Sequence, residues 1–378
     1  MKKKKICFVV SASGSAKVFL LNHINKLSLY FEIYLVADFK ELPMDFFKDQ
    51  PIKELKQIAI PRNVRLINDF RALLSLYAYC KHKKFDAVHT LAPKVGLLGI
   101  LAARLAGVHK RIHIFTGQVW HTKKGLFKHF LMFSDRFTVW NSTHILVDGQ
   151  SQRQFLIQHK IVKEFNSFVL GKGSISGVDT EKFMPDVNVK KQVREELGIK
   201  KNEVLYMFLG RMNRDKGINE LAEAFNRLHN KYPNARLLLA GGDEENMTPI
   251  VKQKVTASDA VLFHGVTKTP ERLLQACDVF CMPSYREGFG TSVIEASLLE
   301  KPIICSDTYG LMETIIENET GLRHEVAVAD SLYSAMEKLI ENQELRTALG
   351  KGGRAYVLAN FSAQAISEKW IEFYKQNV

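Results

Sequence analysis

The feature that most constrains the fold is an alternation of short apolar runs with longer helical stretches along both halves of the chain. The runs are KICFVVS, FEIYLVAD, DAVHTL, KRIHIFTG, HILVDG and SFVLG in the first half, and EVLYMFLG, ARLLLAGG, AVLFHG, DVFCMPS and PIICSD in the second. Continuous apolar strands of this kind are typical of a parallel sheet covered on both faces. The sequence therefore predicts an α/β fold with two doubly wound domains.

The helical stretches and the chain length set the expected domain limits. The stretches are 68–82, 95–105, 217–231, 246–255, 271–276 and 291–299. A chain of 378 residues exceeds the size at which one core usually suffices, about 250–300 residues. We expect a first domain at 1–175, a linker at 176–200 and a second domain at 201–361. Residues 362–378 read as an amphipathic helix that can pack on either domain, with packing back on the first as one option.

Charge is spread unevenly along the chain. Residues 1–165 carry 27 Lys and Arg against 11 Asp and Glu, a net charge of +16, whereas residues 166–378 carry 26 against 29, a net charge of −3. A basic half of this kind favours a polyanionic partner: nucleic acid, an anionic membrane leaflet or a diphosphate-linked substrate. The alternative is a lysine-rich surface that only keeps the protein soluble.

Composition argues against several other classes of protein. No apolar stretch reaches the length of a membrane span, and the best, 95–108, is interrupted by Arg104. The N-terminus MKKKKICFVVSASGSA resembles a signal peptide, but its apolar run is too short, so we do not expect secretion. Five cysteines, most of them in apolar runs, indicate free thiols in a reducing compartment. Cys277 and Cys281 have no further ligands nearby in sequence, so no metal site is expected.

The strand end FLGRMNRDKG places two cations where a phosphate group would bind. Open α/β sheets bind ligands at the carboxyl ends of strands, where helices begin and present free N–H groups. Here Arg211 follows Gly210, and Lys216 and Gly217 open the next helix. A guanidinium and an ammonium at one strand end are suited to a diphosphate. The alternative is a solvated basic loop, and no ATPase phosphate loop of the Walker type occurs in the sequence.

The stretch REGFGTSVIEAS brackets a glycine-rich loop with two carboxylates. Glu287 lies in the loop, and Glu295 lies about one turn into a helix that we expect to begin near Thr291, so the two approach a ligand from different sides. Gly288 and Gly290 allow unusual backbone angles in this loop. The amides at the helix start would face phosphate oxygens, Glu295 a ribose diol, and Glu287 the sugar or leaving-group end. The alternative is an acidic residue that only stabilises a helix N-terminus.

Other strand ends supply three further candidates. In the second half, the backbone at Gly265 and Val266 could clamp the edge of a nucleobase. In the first half, Gly14 follows the first strand and Asp38 ends the second, but the GxGxxG pattern is absent, so NAD is not expected. Among the histidines of the basic half, His121 in FTGQVWHTKKG is the functional candidate, and we expect most of the others to be surface or packing residues.

Taken together, these motifs resemble those of the retaining glycosyltransferases of family 4, which have the GT-B architecture of two Rossmann-like domains facing a cleft. The matching features are the G-R-x4-K-G motif at 210–217, the helix region HGVTKTPERLLQACDVFCMPS and the E-x7-E motif in REGFGTSVIE. In the first half, FTGQVWHTKKG and LGKGSISGVDTEKF are similar to the subgroup that builds O-antigen and capsule repeats. The resemblance covers nearly the whole chain.

The resemblance implies a sugar nucleotide, most often UDP-linked, as the donor, and retention of the anomeric configuration. Arg211 and Lys216 would hold the diphosphate and stabilise its charge as it leaves, while Glu295 would bind the ribose and Glu287 the sugar hydroxyls. No metal, other cofactor or dedicated base is expected, because the two cations replace the metal and a diphosphate oxygen takes the proton. The implied catalytic residues are Glu287, Arg211, Lys216 and His121. The implied donor-binding residues are Gly14, Gly210, Arg211, Lys216, Gly265, Val266, Glu287, Gly288, Phe289, Gly290, Thr291 and Glu295.

One position departs from the family pattern. Many relatives carry a histidine in a T-x-H-G strand end near the donor sugar, whereas Gly117 and Gln118 stand at about that place in this chain. Whether His121 substitutes for that histidine is left open by the sequence. The departure concerns the positioning of the sugar and not the nucleotide.

The resemblance also assigns the acceptor to the first domain and the donor nucleotide to the second. A basic first domain suits a lipid-diphosphate-linked saccharide in an anionic leaflet. We therefore expect a hexosyl- or N-acetylhexosaminyltransferase of bacterial surface polysaccharide synthesis, cytoplasmic and peripheral on the inner membrane. It would dock on the membrane through lysine clusters at 2–5, 81–84 and 123–128.

Two rival functions keep the nucleotide site. A sugar-nucleotide epimerase of the same architecture would turn over a UDP-sugar without an acceptor. A non-catalytic, membrane-associated subunit would only bind the nucleotide, although the presence of Arg211, Lys216, Glu287 and Glu295 together argues against lost activity. Nucleic acid is not expected as a partner, because the basic residues are scattered among helices without interleaved aromatic residues.

Overall fold

The chain divides into two compact units. A computed structural model describes residues 2–61 and 65–378. Unit 1 comprises Met1–Gly177 with Ala363–Val378, and unit 2 comprises Val178–Ser362. Within the described ranges, no helix combines the length and the apolar character that a membrane crossing requires. Each unit is built on one parallel sheet.

The sheet of unit 1 is covered on both faces. Its strands are β1 (Lys4–Val9), β2 (Phe31–Ala37), β3 (Glu54–Gln57), β4 (Ala87–Leu91), β5 (Lys110–Phe115), β6 (His144–Val147) and β7 (Ser167–Val169). They lie parallel in the order β3-β2-β1-β4-β5-β6-β7. Ile6 and Phe8 of β1 point into one core, and Cys7 and Val9 point into another, because successive side chains of a strand face opposite sides. The order is that of a doubly wound sheet, as the apolar runs predict.

The helices of unit 1 connect these strands. Up to residue 177 they are α1 (Ser13–Phe19), α2 (Leu21–Leu27), α3 (Leu66–Lys83), α4 (Pro93–Leu105), α5 (Gly125–Asn141) and α6 (Gln150–Gln158). The predicted helical stretches 68–82 and 95–105 are confirmed as α3 and α4. Pro93 occupies the first turn of α4, where a missing N–H is tolerated. Helix α4 packs against α3 on one side and α5 on the other.

Unit 2 has the same kind of sheet. Its strands are β8 (Val204–Leu209), β9 (Ala235–Ala240), β10 (Val261–Gly265), β11 (Val279–Met282), β12 (Ile303–Ser306) and β13 (Gly321–His324). Its helices are α7 (Val187–Glu196), α8 (Ile218–Lys231), α9 (Met247–Lys254), α10 (Pro270–Leu273), α11 (Thr291–Leu298), α12 (Ala329–Glu341) and α13 (Gln343–Asn360). The strands lie parallel in the order β10-β9-β8-β11-β12-β13. The prediction of two doubly wound α/β domains is therefore confirmed.

The segment 176–200 differs from the linker that we expected. It contains α7, whose N-terminus is capped by Asp186: the carboxylate accepts hydrogen bonds from the backbone N–H groups of Asn188 and Val189 at 2.8 and 3.1 Å. Near the other end of α7, the buried side chain of Arg194 donates a hydrogen bond to Asp278 at 2.7 Å. From Val178 onwards the segment therefore belongs to the fold of unit 2, since an ion pair with a residue distant in sequence holds it.

The last helix, α14 (Ala363–Asn377), completes the core of unit 1. It packs on α2, and Trp370 and Tyr374 are fully buried. The indole N–H of Trp370 donates to the carbonyl of Ile175 at 3.0 Å, and its ring stacks on His23 and His89 with centroid distances of 5.0 and 5.1 Å. Burial lowers the pKa of His23 to about 4, so this histidine packs as a neutral ring at physiological pH.

The five cysteines are free and buried, as their positions in apolar runs predict. Burial raises the pKa of the Cys277 thiol to about 11 and that of Cys305 to about 12. Thiolates, which are the reactive form, are therefore scarce at neutral pH. These cysteines act as small apolar residues of the core.

Candidate active site

The candidate site lies at the carboxyl ends of the strands of unit 2, where an open α/β sheet binds its ligand. Gly210 follows β8, and its N–H donates to Ala240, the last residue of β9, at 2.9 Å. Two residues later, Met212 N–H donates to Gly242 O at 2.8 Å. The segments that leave β8 and β9 therefore run side by side beyond the sheet.

A close backbone approach brings Lys216 next to Glu287. Gly217 ends the short turn after β8 with a φ of 67°, and a Cβ atom there would lie 2.0 Å from the carbonyl oxygen of Pro283. Only glycine allows both this conformation and this contact. Because Pro283 follows β11, the contact joins the ends of β8 and β11. Lys216 and Glu287 form an ion pair there, with side chains only 16% and 13% exposed.

Further bonds fix the two partners in place. The hydroxyl of Ser284 donates to Glu287 Oε1 at 2.8 Å. Arg286, directly before Glu287, forms an ion pair with Asp215 at 2.9 Å. The Tyr285 N–H donates to the Asp215 carbonyl at 2.8 Å. Neither Asp215 nor Arg286 was predicted as a site residue. Both lie inside the two motifs quoted above, and their opposite charges are the signal that could have paired them.

Arg211 is held by a carboxylate that the sequence analysis missed. Its Nη1 lies 2.9 and 3.2 Å from the two carboxylate oxygens of Glu244. The Asn213 side chain also donates to Glu244, at 3.2 Å. Arg211 is 54% exposed, so this pair is screened by water and contributes little to stability. The acidic run GGDEE directly after β9 is the sequence signal for this partner.

The loop from Glu287 to Gly290 leads into helix α11, which begins at Thr291, as predicted. Gly288 and Gly290 are not among the glycines with a positive φ, and φ of Gly290 is −72°. The physical reason for glycine at 290 is space, because a Cβ atom would lie 2.5 Å from Cδ2 of Leu311. The loop is therefore packed closely on the segment around residue 311.

The side chain of Phe289 is buried, although the residue was predicted to bind the donor. Its ring packs edge-on against Phe361 with a centroid distance of 5.2 Å. The Gly290 N–H donates to Gly310 O at 3.1 Å, and the Thr308 hydroxyl donates to Tyr285 O at 3.0 Å. Phe289 thus anchors the loop through its side chain.

Glu295 sits one turn inside α11, in an environment that disfavours its charge. The residue is partly exposed, but burial of its carboxyl group raises the pKa of Glu295 to about 7. Lys182 opposes this rise in the pKa and Glu271 adds to it, and these two residues form an ion pair at 3.1 Å. A carboxyl group that is readily protonated at neutral pH is typical of a functional site.

The carboxyl end of β10 lies at the same edge of the sheet as the ends of β8 and β9. Gly265 ends β10, and its carbonyl accepts a hydrogen bond from Gly241 N–H at 2.7 Å. Val266, directly after it, is largely exposed. The predicted nucleobase clamp thus lies beside the segment that leaves β9, which also carries Glu244.

Two of the predicted site residues, Gly14 and His121, belong to unit 1. Gly14 lies in α1 against the carboxylate of Glu41. His121 lies in a short turn after β5, with its ring edge-on to Phe155 at 5.0 Å. Where the family histidine would stand, the side chain of Gln118 is buried and accepts a hydrogen bond from Gln152 at 3.3 Å. The position is therefore occupied by a neutral amide.

Comparisons with known proteins place this geometry in a family. The models described as "Glycosyl transferases group 1" and "Glycosyl transferase 4-like" match residues 189–356 and 5–146. The capsular polysaccharide biosynthesis glycosyltransferase CapM of Staphylococcus aureus is 30% identical over 380 residues, which cover 99% of this chain and 97% of that protein. The chain is a family 4 glycosyltransferase. The family predicted from the motifs is confirmed.

Further comparisons extend the family 4 assignment. An Escherichia coli relative named UDP-Gal:alpha-D-GlcNAc-diphosphoundecaprenol alpha-1,3-galactosyltransferase is 27% identical, over 91% of this chain and 89% of that protein. The crystal structure of Anabaena Alr3699/HepE in complex with UDP matches with a TM-score of 0.80 and 17% identity, over 98% of this chain and all of that chain. At this identity the likeness concerns the fold alone. The glycosyltransferase has the GT-B fold with two Rossmann-like sheets, as predicted.

Proposed function

We propose that this glycosyltransferase moves a hexosyl or N-acetylhexosaminyl group from a UDP-sugar to a hydroxyl of a lipid-diphosphate-linked saccharide. The anomeric configuration is retained, and the product enters a bacterial surface polysaccharide such as O-antigen or capsule. The observation that carries the proposal is the cluster of Lys216, Glu287 and Arg211 at the strand ends of unit 2. The names of the Staphylococcus aureus and Escherichia coli relatives support the polymer and the acceptor class.

In this proposal Lys216 contacts the diphosphate of the donor directly and holds Glu287, which binds the sugar. An ammonium group has three N–H donors, and the ion pair with Glu287 occupies one of them. The remaining donors bind a diphosphate oxygen, while the second oxygen of Glu287 accepts a hydrogen bond from a sugar hydroxyl. Arg211 exchanges its exposed partner Glu244 for the diphosphate at little cost, since an exposed ion pair is weak. The N–H groups at the start of α11 complete the phosphate site.

Bond exchange needs no base from the chain. The acceptor oxygen forms a bond to the anomeric carbon on the face from which the diphosphate leaves, and the carbon–oxygen bond to the diphosphate breaks. The proton of the acceptor hydroxyl passes to the departing diphosphate oxygen. Lys216 and Arg211 stabilise the negative charge that grows on that group. We propose on this ground that the reaction uses neither a metal nor another cofactor.

The acceptor is assigned to unit 1 and to a membrane surface. Unit 1 holds the excess of positive charge in residues 1–165, and the Lys5 ammonium donates to Lys83 O at 3.1 Å, which makes the clusters at 2–5 and 81–84 neighbours. Lys123 and Lys124 of the third cluster are exposed. We propose that these clusters hold the enzyme on the cytoplasmic face of the inner membrane, where a lipid-linked acceptor lies.

Nucleotide binding is the first test of the proposed function. UDP is expected to raise the melting temperature of the native protein more than GDP or ADP does, because the proposed donor is UDP-linked. A ligand that binds only the folded state stabilises it by about 2.7 kcal/mol at a hundred times its Kd. Arg211→Ala should abolish this shift, as measured by differential scanning fluorimetry. Arg214→Ala, which removes a second exposed cation from the same loop, is the matched control and should keep it. A shift by GDP would move the donor class to GDP-sugars, and no shift by any nucleotide would contradict the proposal.

The affinity for a UDP-sugar is expected to rise with pH between about pH 6 and pH 8. The ionised form of Glu295 accepts hydrogen bonds from both ribose hydroxyls, and burial raises its pKa to about 7. Below that pKa the free protein must release a proton to bind, so affinity falls up to tenfold per pH unit, and above it affinity levels off. Glu295→Gln should remove the dependence in isothermal titration calorimetry. An unchanged slope in this variant would show that another group titrates.

A further inference from the structure

Helix α5 carries an apolar stripe that is largely exposed in the part of the chain that the structure describes. The stripe consists of Leu126, Phe130, Phe133, Phe137 and Trp140, spaced alternately four and three residues apart. Leu126, Phe130, Phe133 and Trp140 are 58–88% exposed. Its aromatic rings lie against one another, with centroid distances of 6.4 Å between Phe133 and Phe137 and 5.9 Å between Phe137 and Trp140. Contiguous exposed apolar side chains of this kind mark an interaction site.

The other face of α5 already serves the fold. Its buried residues are Met132, Asp135, Thr138 and Asn141, and the helix packs on α4 through that side. Asp135 accepts a hydrogen bond from the indole of Trp120 at 2.7 Å. The stripe therefore contributes little to the core of unit 1, and its exposed aromatic residues call for another function.

The charges beside the stripe are basic. Lys123 and Lys124 precede α5, and Arg136 lies on its exposed surface. The guanidinium of Arg104 lies over the ring of Trp140, with its carbon 4.4 Å from the ring centroid. The one acidic residue of α5, Asp135, is buried. A second copy of the chain would therefore bring like charges together without acidic partners, whereas an anionic surface would pair with them.

Helix α3 presents further exposed apolar residues near its beginning, namely Leu66, Ile67, Phe70 and Leu74. Both α3 and α5 pack on α4. Helices that follow parallel strands begin at the carboxyl edge of the sheet, so the first turns of α3 and α5 lie at the same edge. Aromatic and aliphatic residues with basic neighbours are the composition of helices that lie in a membrane interface.

We propose that α5 lies in the surface of an anionic lipid layer with its stripe, Leu126 to Trp140, inserted among the acyl chains. The inference rests on the proposed function, since a lipid-linked acceptor is presented at such a surface. It goes further than attraction by the lysine clusters, because insertion adds a hydrophobic contribution that salt does not screen.

Trp140 makes the insertion measurable in the full-length protein. The chain has three tryptophans, and the other two, Trp120 and Trp370, are buried. On vesicles of phosphatidylcholine with phosphatidylglycerol, emission is expected to shift to the blue, and lipids with brominated acyl chains are expected to quench it. Vesicles of phosphatidylcholine alone should bind more weakly, because they lack the anionic headgroups that pair with the basic residues.

Two variants separate insertion from a merely structural effect. The double variant Phe130→Ser and Phe133→Ser is expected to lower partitioning onto anionic vesicles by about tenfold or more. The reason is that two apolar rings are no longer transferred from water into the acyl chains. Phe165→Ser removes a similarly exposed ring from unit 1 outside α5 and should leave partitioning unchanged. Circular dichroism spectra of both variants should match that of the native protein, because the replaced side chains are exposed.

Three results would overturn the inference. Vesicle binding without quenching of Trp140 would mean docking by charge alone, and equal binding by the double variant would exclude the stripe. A concentration-dependent dimer that shields Trp140, without any effect of vesicles, would assign the stripe to a second copy. If UDP stabilises the protein and any of these three results is obtained, the inference about α5 is wrong and the proposed function stands. If UDP does not stabilise the protein, the proposed function is contradicted.

Discussion

Replacing Lys216 with alanine is expected to lower the rate of sugar transfer by about a hundredfold to a thousandfold, as the loss of one preorganised charge at a developing anion typically does. Lys216 is also the ion-pair partner of Glu287, and both side chains are largely buried. The variant would therefore leave a carboxylate without its counter-charge beside the diphosphate of the donor. Repulsion between these two anions adds to the loss of the cation.

The measurement is UDP release from the donor in the presence of a lipid-linked acceptor. Lys254→Ala is the matched control, because Lys254 also forms an ion pair, with Glu223 at 3.0 Å, but lies on α9 away from the strand ends. Its transfer rate should equal that of the native enzyme. Transfer by Lys216→Ala within a few-fold of the native rate would contradict the assignment of Lys216 to the leaving diphosphate.

Replacing Arg194 with methionine is expected to destabilise unit 2 by about 3–5 kcal/mol, the range for breaking a buried ion pair on one side. Arg194 is 9% exposed. Besides Asp278 its guanidinium reaches the carbonyls of Lys200 and Glu203 at 2.9 and 2.7 Å. Burial alone would raise the pKa of Asp278, but Lys190 and Arg194 hold it below its usual value. The variant leaves this carboxylate and three carbonyls, that of Ala276 included, with fewer partners.

The loss of stability of unit 2 should appear in the circular dichroism signal but not in the tryptophan emission. All three tryptophans lie in unit 1, so their emission reports the unfolding of unit 1, whereas circular dichroism follows both units. Urea unfolding should show an earlier circular dichroism transition and an unshifted emission transition. Lys191→Met on the same helix is the control: Lys191 is 77% exposed with a partner at 4.0 Å, and its loss should cost less than about 1 kcal/mol. Equal midpoints for the two variants would contradict this role of Arg194.

The central strands could be predicted because burial leaves a local mark. A strand covered on both faces is a continuous run of mostly apolar residues, as in β8 (VLYMFL) and the last four residues of β1 (ICFV), and such runs are visible in the sequence. The strand β3 was missed because it lies at the sheet edge and two of its four residues, Lys56 and Gln57, are exposed. Helix α7 was read as linker because its sequence is polar, and the contact that fixes it joins residues 84 positions apart.

The candidate site likewise contains residues that the sequence predicts and residues that it does not. Arg211, Lys216, Glu287 and Glu295 could be found because each lies in a motif at a predicted strand end. Lys182 could not be found, and the acidic run after β9 does not reveal that Glu244 is the residue that meets Arg211, since only the folded chain decides which opposite charges of distant segments meet. The sequence also could not distinguish a glycine needed for its backbone angle, Gly217, from one needed for space, Gly290.

The place of α14 has a consequence for how the protein is made. Synthesis proceeds from the N-terminus, so the whole of unit 2, Val178–Ser362, leaves the ribosome before Ala363–Val378 does. Most of unit 1 precedes unit 2 in the chain, yet Trp370 and Tyr374, which fill the core of unit 1 beside His23 and His89, emerge only after all of unit 2. Unit 1 must therefore wait with an open, apolar core until α14 has been synthesised. Chaperones that shield such surfaces on nascent chains would act on the first-made half of this enzyme for longest.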